Sequence, residues 1–195
     1  MLVTLQGLLL AAGSGSRMGT PKALVVGQDG APWLSHGVAS LLGGGCDGVT
    51  VVLGAAAEDA VTLVPSGPVT TVVAADWADG MSASLRAGLQ ALTATDAQAA
   101  VVTLVDLPDV GSDVVRRVLD LGIDAGVLAR ATYGGRPGHP VLLGRDHWAG
   151  VVDTATGDAG ARDYLAQHMV FEVECGDLAT GADVDGPTGD QRRPT

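Results

Sequence analysis

Six apolar runs divide the chain at intervals that leave room for a helix between neighbouring runs. They cover residues 7–12, 49–53, 69–74, 101–105, 126–131 and 170–173. Nearly continuous runs of Val and Leu with few polar positions are typical of strands that are buried on both faces. The pattern therefore predicts six strands of a sheet that is covered on both sides.

The segments between these runs have the spacing and the start signals of helices. Four helices are predicted, over residues 32–42, 82–92, 112–121 and 159–168. Pro32 suits a first helical turn, Ser82 and Ser112 suit N-caps, and Asp158 precedes the fourth helix. Strands that alternate with helices predict one α/β domain, over residues 1–190, with a mostly parallel sheet and right-handed crossovers. Ligands of such sheets bind at the carboxyl ends of the strands.

Two stretches look irregular instead. Residues 134–140 read GGRPGHP, and the tail from Thr180 is rich in Gly, Asp and Pro. Gly and Pro both interrupt regular elements, so neither stretch is predicted as a helix or a strand. Residues 191–195 are expected to be frayed.

Composition narrows the class of protein. The 195 residues are 47% hydrophobic with a mean hydropathy of +0.31, which favours one ordered domain. The formal net charge of −11 argues against a nucleic-acid partner. No apolar run approaches the ~20 residues of a membrane span, and no basic residue precedes the first run as in a signal peptide. Cys46 and Cys175 lack metal-binding or disulfide-framework spacing, so a reducing cytoplasm is expected.

The first run ends in a glycine-rich loop that carries two cations. Gly13, Gly15 and Gly19 follow the strand directly, with Arg17 and Lys22 among and after them. Ten of the eleven strongly basic residues are Arg, so Lys22 is the only lysine. Glycines that expose backbone N–H groups beside cations suit a phosphate. The spacing matches neither a P-loop nor a dinucleotide fingerprint, and an ordinary strand-to-helix turn with exposed charges stays open.

Carboxylates follow two other segments. Asp106 ends the run at 101–105 before a Pro turn, where it can hold Mg²⁺ against phosphate oxygens or simply cap the turn. Asp183 and Asp185 have the period-two spacing that places side chains on one side of an extended segment. A solvated acidic tail is the alternative for this pair.

Three further motifs could bind a ligand. Ser82 or Ser84 can cap a helix whose N-terminus favours an anion. His139 stands in a turn between Gly138 and Pro140, and Asp158 can cap the helix that carries Arg162. A lone loop histidine is more often structural than catalytic. The tryptophans, Trp33, Trp77 and Trp148, are interpreted as packing residues.

Taken together, LAAGSGSRMGTPK at 10–22, GMSASLRAGL at 80–89, VDLP at 105–108, RPGHP at 136–140 and GDAGAR at 157–162 resemble the MobA-like nucleotidyltransferases of the molybdenum cofactor. The molybdopterin cytidylyltransferases are the most similar branch. The resemblance extends to about Pro187 and implies a single Rossmann-like domain of the nucleotide-diphospho-sugar transferase (GT-A-like) kind. This fold has three layers, α/β/α. Val105 stands where the family usually has Gly, and Gly186 where it has Thr.

The resemblance also implies roles for individual residues. Arg17, Lys22 and Asp106 would be catalytic, and Asp106 and Asp183 would hold Mg²⁺. Gly138, His139, Asp158 and Arg162 would bind the acceptor. The nucleotide would contact Leu10, Ala11, Ala12, Gly13, Ser14, Gly15, Arg17, Lys22, Gly80, Met81 and Ser82. Ala12 followed by Gly13 favours CTP, because the guanine-using branch usually has two glycines there.

The implied reaction moves CMP from CTP to the terminal phosphate of molybdopterin and releases pyrophosphate. Mg²⁺ would be the cofactor, a molybdoenzyme or its maturation factor the protein partner, and a monomer or weak dimer the assembly. Three alternatives stay open. They are transfer to another small phosphorylated acceptor, a flavin- or NAD(P)-dependent oxidoreductase on the same fold, and a maturation factor that binds without transferring.

Overall fold

The computed structural model describes residues 4–15 and 19–184, and these residues form one sheet flanked by helices. Its seven strands are β1 Leu5–Ala11, β2 Gly48–Leu53, β3 Val69–Val73, β4 Ala99–Leu104, β5 Leu128–Tyr133, β6 Arg136–Gly144 and β7 Phe171–Glu174. The helices are α1 Trp33–Gly44, α2 Ala57–Ala60, α3 Met81–Thr93, α4 Ser112–Leu119, α5 Trp148–Thr154 and α6 Arg162–Leu165. Short 3₁₀ turns cover Lys22–Leu24, Val61–Leu63, Trp77–Asp79 and Arg145–His147. The predicted α/β domain with a mostly parallel sheet is confirmed.

The strand order is β3-β2-β1-β4-β6-β5-β7. Strands β1, β2, β3 and β4 are parallel, whereas β6 is antiparallel to both of its neighbours. The chain builds outward from β1 to β3 and then returns to add β4 on the other side of β1. This reversal is a topological switch point, where doubly wound sheets leave a crevice at the carboxyl ends of the strands.

Two apolar clusters cover the two faces of the sheet. Helices α1 and α4 pack on one face through side chains such as Leu34 and Val115. Helices α3 and α5 pack on the other face through Leu89 and Trp148. Helix α3 lies close to β1, because a β-carbon at Gly88 would lie only 2.5 Å from Leu8 Cδ1. The result is a three-layer arrangement of helices, sheet and helices. It fixes the two loops that follow β1 and β4 at the crevice.

Several predicted elements differ from the structure. Residues 134–140, expected to be irregular, contain a two-residue turn at Gly134 and Gly135 and the start of β6. The helix predicted over 159–168 is one turn, α6, and α5 was not predicted. Ser82 and Ser112 are not caps within the described chain, since Gly80 and Gly111 occupy the N-cap positions of α3 and α4.

Three sequence predictions involve residues that the structure does not describe. Arg17 falls between residues 15 and 19, and Asp185 lies in the final segment from 185 onward, together with the predicted frayed tail. Among residues 4–15 and 19–184, no helix is long and apolar enough to cross a membrane.

Candidate active site

A cavity of about 480 Å³ opens at the switch point between β1 and β4. Ligand pockets commonly enclose roughly 300–1,000 Å³, so this volume suits a nucleotide-sized molecule. Residues from the ends of β1 and β4 and from the start of α3 form its wall. The lining residues are Leu10, Ala11, Ala12, Gly13, Ser14, Gly15, Lys22, Trp77, Ala78, Gly80, Met81, Ser84, Leu104, Val105, Asp106 and Asp158.

The glycine-rich loop leaves β1 as a tight turn. Gly15 has φ +60°, and a β-carbon there would lie 1.9 Å from the carbonyl oxygen of Thr20. Only glycine fits this position, because any side chain would collide with the returning backbone. The turn brings residue 22 back to the mouth of the loop, where the 3₁₀ turn Lys22–Leu24 begins. Of the described part of the loop, Gly13, Ser14 and Gly15 line the cavity.

Lys22 and Asp106 meet on the wall of the cavity. Lys22 Nζ donates to Asp106 Oδ2 at 2.5 Å, and the two side chains are 18% and 12% exposed. This part-buried ion pair joins the 3₁₀ turn that begins at Lys22 to the segment that follows β4. Asp106 therefore does more than cap its turn, because its Oδ2 accepts a hydrogen bond from Lys22.

Asp183 reaches this region through a chain of contacts. Thr180 donates through its backbone N and its Oγ1 to Asp109 Oδ2, at 2.7 and 2.5 Å. Gly181 then lies against the ring of Tyr133, and Val184 N donates to the carbonyl oxygen of Asp106 at 3.0 Å. The segment after β7 therefore runs back past the end of β4. Asp183 itself is exposed and does not line the cavity.

These two carboxylates suit a hard divalent cation. Within the described residues no group of three or more His, Cys, Asp or Glu side chains could hold a metal. Mg²⁺ usually binds through one or two carboxylates and takes its other ligands from phosphates and water. Asp106, which lines the cavity, could therefore hold an ion that arrives with a nucleotide, whereas the exposed Asp183 lies outside that lining.

Hydrogen bonds join residues 156–160, in the loop between α5 and α6, to the start of α3. Asp158 Oδ1 accepts from Met81 N at 3.2 Å, Gly157 O accepts from Ser82 N at 2.9 Å, and Ser82 Oγ accepts from Gly160 N at 3.0 Å. The prediction that Asp158 caps the helix carrying Arg162 is wrong, because Asp158 caps α3 instead. Ser82 is fully buried and does not line the cavity, whereas Gly80 and Met81 do.

The predicted acceptor residues are only partly together. His139 lies on β6 rather than in a turn, and it lines a small apolar cavity with Leu10, Met81 and Gly160. Leu10 and Met81 also line the main cavity, so the two spaces adjoin. Tyr133 Oη donates to the carbonyl oxygen of His139 at 2.6 Å. Arg162 is exposed on α6, outside both linings.

Burial lowers the pKa of His139 to about 4, and the charge of Asp106 opposes this shift only in part. The imidazole is therefore neutral near pH 7 and offers a hydrogen bond rather than a positive charge. A phosphate at this position would have to find its countercharge elsewhere.

The same shift predicts a pH-dependent stability. As the pH falls from about 6.5 to about 4, the unfolded chain binds a proton at residue 139 that the folded chain does not. We expect the free energy of unfolding to decrease in this window by at most about 3 kcal/mol. Urea unfolding of the wild type and of His139→Gln at several pH values would measure it.

The control for this prediction compares how the free energy of unfolding changes with pH in the wild type and in His139→Gln. The contribution of His139 should be absent from the variant between pH 4 and 6.5. Glu174 changes the free energy of unfolding at lower pH than His139 does. Hydrogen bonds from the backbone of Gly134, Gly135 and Gly176 and from Thr132 lower its pKa to about 2. Parallel curves for the two proteins above pH 4 would contradict the prediction.

Sequence reasoning missed one cavity residue of distinct chemistry. Trp77, interpreted as a packing residue, does pack partly against the apolar cluster under α3, but it is only half-buried and also lines the cavity, whereas Trp33 and Trp148 are in the core. Its position three residues before the motif that begins at Gly80 was the available signal.

The crevice at a switch point, with a glycine-rich loop and a Lys–Asp pair, defines a nucleotide-binding α/β domain. The chain belongs to the family of the MobA-like NTP transferase domain, whose model matches residues 7–173. The resemblance to this family is confirmed, and a nucleotidyltransferase class of enzyme is supported.

Individual relatives add detail. The chain is 36% identical over 189 residues to a nicotine blue oxidoreductase of Paenarthrobacter nicotinovorans, covering 92% of this chain and 91% of the relative. The solved structure of Rv0371c from Mycobacterium tuberculosis H37Rv has a TM-score of 0.79 at 28% identity, covering 95% of both chains. A structure of Rv0371c in complex with manganese has a TM-score of 0.74 at 26% identity, covering 93% of this chain and 94% of that one. A nucleotidyl transferase from Methanothermobacter thermautotroptrophicus, 20% identical with a TM-score of 0.77 over 94% of this chain and 92% of that one, shares the fold.

Proposed function

We propose that this protein transfers CMP from CTP to the terminal phosphate of molybdopterin and releases pyrophosphate. The observation that carries the proposal is the Lys22–Asp106 pair on the wall of a cavity that Gly13, Ser14 and Gly15 of the glycine-rich loop also line. A cation for the phosphates and a carboxylate for a divalent ion stand at one point of the wall. The family assignment supports a nucleoside triphosphate as the donor.

The proposed reaction is an in-line displacement. An oxygen of the acceptor phosphate forms a bond to the α-phosphorus while the bond from that phosphorus to the bridging oxygen breaks, and pyrophosphate leaves with the electron pair. The acceptor phosphate is already an anion near pH 7, because its second pKa is about 6. No general base is needed, and His139 would be a weak one, because burial lowers its pKa to about 4.

The residues of the chain act by positioning and by neutralising charge. The N–H groups of Gly13, Ser14 and Gly15 and the ammonium of Lys22 would hold the β- and γ-phosphates. The family resemblance gives the same role to Arg17, which lies outside the described residues. Asp106 and Asp183 would hold Mg²⁺, which when bound neutralises charge on the phosphate oxygens. Exchange of Lys22 from Asp106 to the incoming phosphates would leave Asp106 available to the metal.

On the acceptor side we propose Gly138, His139, Asp158 and Arg162. His139 supplies a neutral hydrogen-bonding edge next to an apolar space, which suits a pterin ring, and the exposed Arg162 suits a phosphate. Ala12 lines the cavity, where its methyl group favours CTP over GTP. A cytoplasmic location and a molybdoenzyme or its maturation factor as partner belong to the same proposal.

The 36% identical relative named nicotine blue oxidoreductase favours a second candidate, reduction of a small aromatic compound. That activity would need a flavin or a nicotinamide nucleotide, whose phosphates could occupy the same loop. The nicotinamide would then have to lie next to the aromatic substrate.

Thermal unfolding with a panel of ligands tests the proposal. CTP with Mg²⁺ at about 100 times its Kd should stabilise the fold by about 2.7 kcal/mol, which for a domain of this size is about 5–10 °C. GTP, ATP and UTP should stabilise it less. Pyrophosphate release with a phosphorylated pterin then tests transfer.

Two results would contradict the proposal. Stabilisation by NADPH or FMN but not by CTP, with NADPH oxidation in the presence of an aromatic acceptor, would establish the oxidoreductase instead. CTP binding without pyrophosphate release to any acceptor would favour a non-catalytic maturation factor.

A further inference from the structure

Trp77 is the only aromatic residue among the described residues that line the main cavity, and it also packs partly against the apolar cluster under α3. It lies in the 3₁₀ turn Trp77–Asp79 between β3 and α3 and lines the main cavity. Trp33 and Trp148 are 7% and 2% exposed, whereas Trp77 is half-buried. Burying all of this ring would be favourable, so its exposure to the cavity leaves apolar surface for a ligand to cover.

The topology places Trp77 on one side of β1 and the ion pair on the other. Trp77 follows β3, on the β2 side of β1, whereas Asp106 follows β4. The cavity wall thus extends across the carboxyl end of β1, from the Lys22–Asp106 pair to the indole. A nucleotide whose phosphates lie at Lys22 would extend its base towards Trp77.

Contacts around Gly54 place Trp77 next to Ala12. A β-carbon at Gly54 would lie 2.6 Å from Trp77 Cβ and 2.7 Å from Ala12 Cβ, so these two β-carbons are neighbours. Ala55 N also donates to the carbonyl oxygen of Ala12 at 3.0 Å. Ala12, the position that bears on the choice of base, therefore lies beside the half-buried Trp77.

Arg86 on α3 fixes the turn that carries the indole. Its Nη2 donates to Asp76 Oδ2 at 3.2 Å, and its Nη1 donates to the carbonyl oxygen of Ala155 at 2.8 Å. Within the turn, Gly80 N donates to the carbonyl oxygen of Trp77 at 3.2 Å. An aromatic surface that is already held in place costs little to order when a ligand binds.

We infer that Trp77 binds the nucleotide by stacking its indole on the base. The inference rests on the proposed nucleotide-dependent function and adds a residue to it. Stacking of a base on an aromatic side chain contributes about 1–3 kcal/mol to the free energy of binding. It depends little on which base is present, because every base has a π-face. Trp77 therefore supplies affinity to any nucleobase, and Ala12 with its backbone supplies the choice between bases.

Titration of Trp77→Ala and Trp77→Phe with CTP, GTP and inorganic tripolyphosphate, each with Mg²⁺, tests the inference by calorimetry. Trp77→Ala should weaken CTP and GTP alike by about tenfold or more and leave tripolyphosphate binding unchanged. Trp77→Phe should recover part of the loss, since a smaller aromatic ring remains.

Intrinsic fluorescence gives a second readout that a merely structural role would not produce. CTP should quench the emission of the wild type and of Trp33→Phe, which retain Trp77. It should leave the emission of Trp77→Phe unchanged at saturating CTP.

The outcomes separate the inference from the function on which it rests. If Trp77→Ala binds CTP as tightly as the wild type, the inference is wrong and the nucleotidyltransferase proposal stands. Equal weakening of CTP and tripolyphosphate would also overturn it, because that result indicates a disturbed loop. A wild type that binds no nucleoside triphosphate overturns both.

Discussion

Lys22→Ala should lower the rate of pyrophosphate release by about 10²- to 10³-fold, and Lys22→Arg should restore little of it. A preorganised cation or donor at the reacting phosphates commonly contributes that much. Lys22 Nζ is held 2.5 Å from Asp106 Oδ2 with its side chain 18% exposed, so the site accommodates a compact ammonium. An arginine would place a larger planar group there, with its donors in a fixed fork. Steady-state kinetics with CTP, Mg²⁺ and the acceptor would measure both variants.

The matched control exchanges the same two residue types where the site is not involved. Arg116 is 54% exposed and pairs with Asp113 on the surface of α4. Arg116→Lys should leave turnover unchanged, because exposed pairs contribute only about 0–1 kcal/mol. Lys22→Arg with a rate of pyrophosphate release near that of the wild type would refute the role given to Lys22. Circular dichroism and thermal unfolding of each variant would show that the fold persists.

The part of the site that the sequence could predict is the part built from consecutive residues. An apolar run that ends in glycines or in Asp106 predicts both the strand and the chemical group at the carboxyl end of that strand. Parallel strands present these ends on one edge, so the glycine-rich loop and Asp106 could each be assigned to the ligand-binding edge, whereas their direct contact was not predicted. The structure brings them into direct contact across 84 residues of sequence.

The antiparallel strand β6 was hidden by its composition. Pro137, Gly138 and Pro140 are typical breakers of a strand in the middle of a sheet. The structure accommodates them because the pairing of β5 with β6 shifts register between Arg130 and Thr132. Such an irregularity relieves the ladder where a Pro cannot donate. This departure from regular pairing depends on the partner strand and has no local signal.

Helix α6 shows the opposite error, a local pattern that tertiary contacts override. The residues from 159 to 168 have helical spacing, yet Gly160 has φ +58° and its N–H donates to Ser82 Oγ. Asp158 leaves its own helix and caps α3. Three hydrogen bonds to α3 thus determine the loop, and the helix is confined to Arg162–Leu165. The link between the predicted acceptor residue Asp158 and the start of α3 at the cavity is therefore a tertiary feature.

Asp106→Asn should have the second large effect, with a pattern that differs from that of Lys22→Ala. The amide keeps the volume of the side chain and leaves the main-chain bond from Val184 N to residue 106 intact. It removes the negative charge that a hard divalent cation requires. We expect turnover to fall by about 10²-fold or more and Mn²⁺ binding in the presence of CTP to weaken by more than about tenfold.

Binding measured without metal separates the two roles. Asp106→Asn should bind metal-free CTP at least as tightly as the wild type, because the carboxylate that competes with the phosphates for the Lys22 ammonium is gone. Lys22→Ala should show the reverse pattern, with weak binding of metal-free CTP and Mn²⁺ binding that persists. Asp113→Asn, a carboxylate 71% exposed on α4, serves as the control and should change neither quantity. Equal Mn²⁺ affinity for Asp106→Asn and the wild type, by electron paramagnetic resonance with CTP present, would show that Asp106 holds no metal and only orients Lys22.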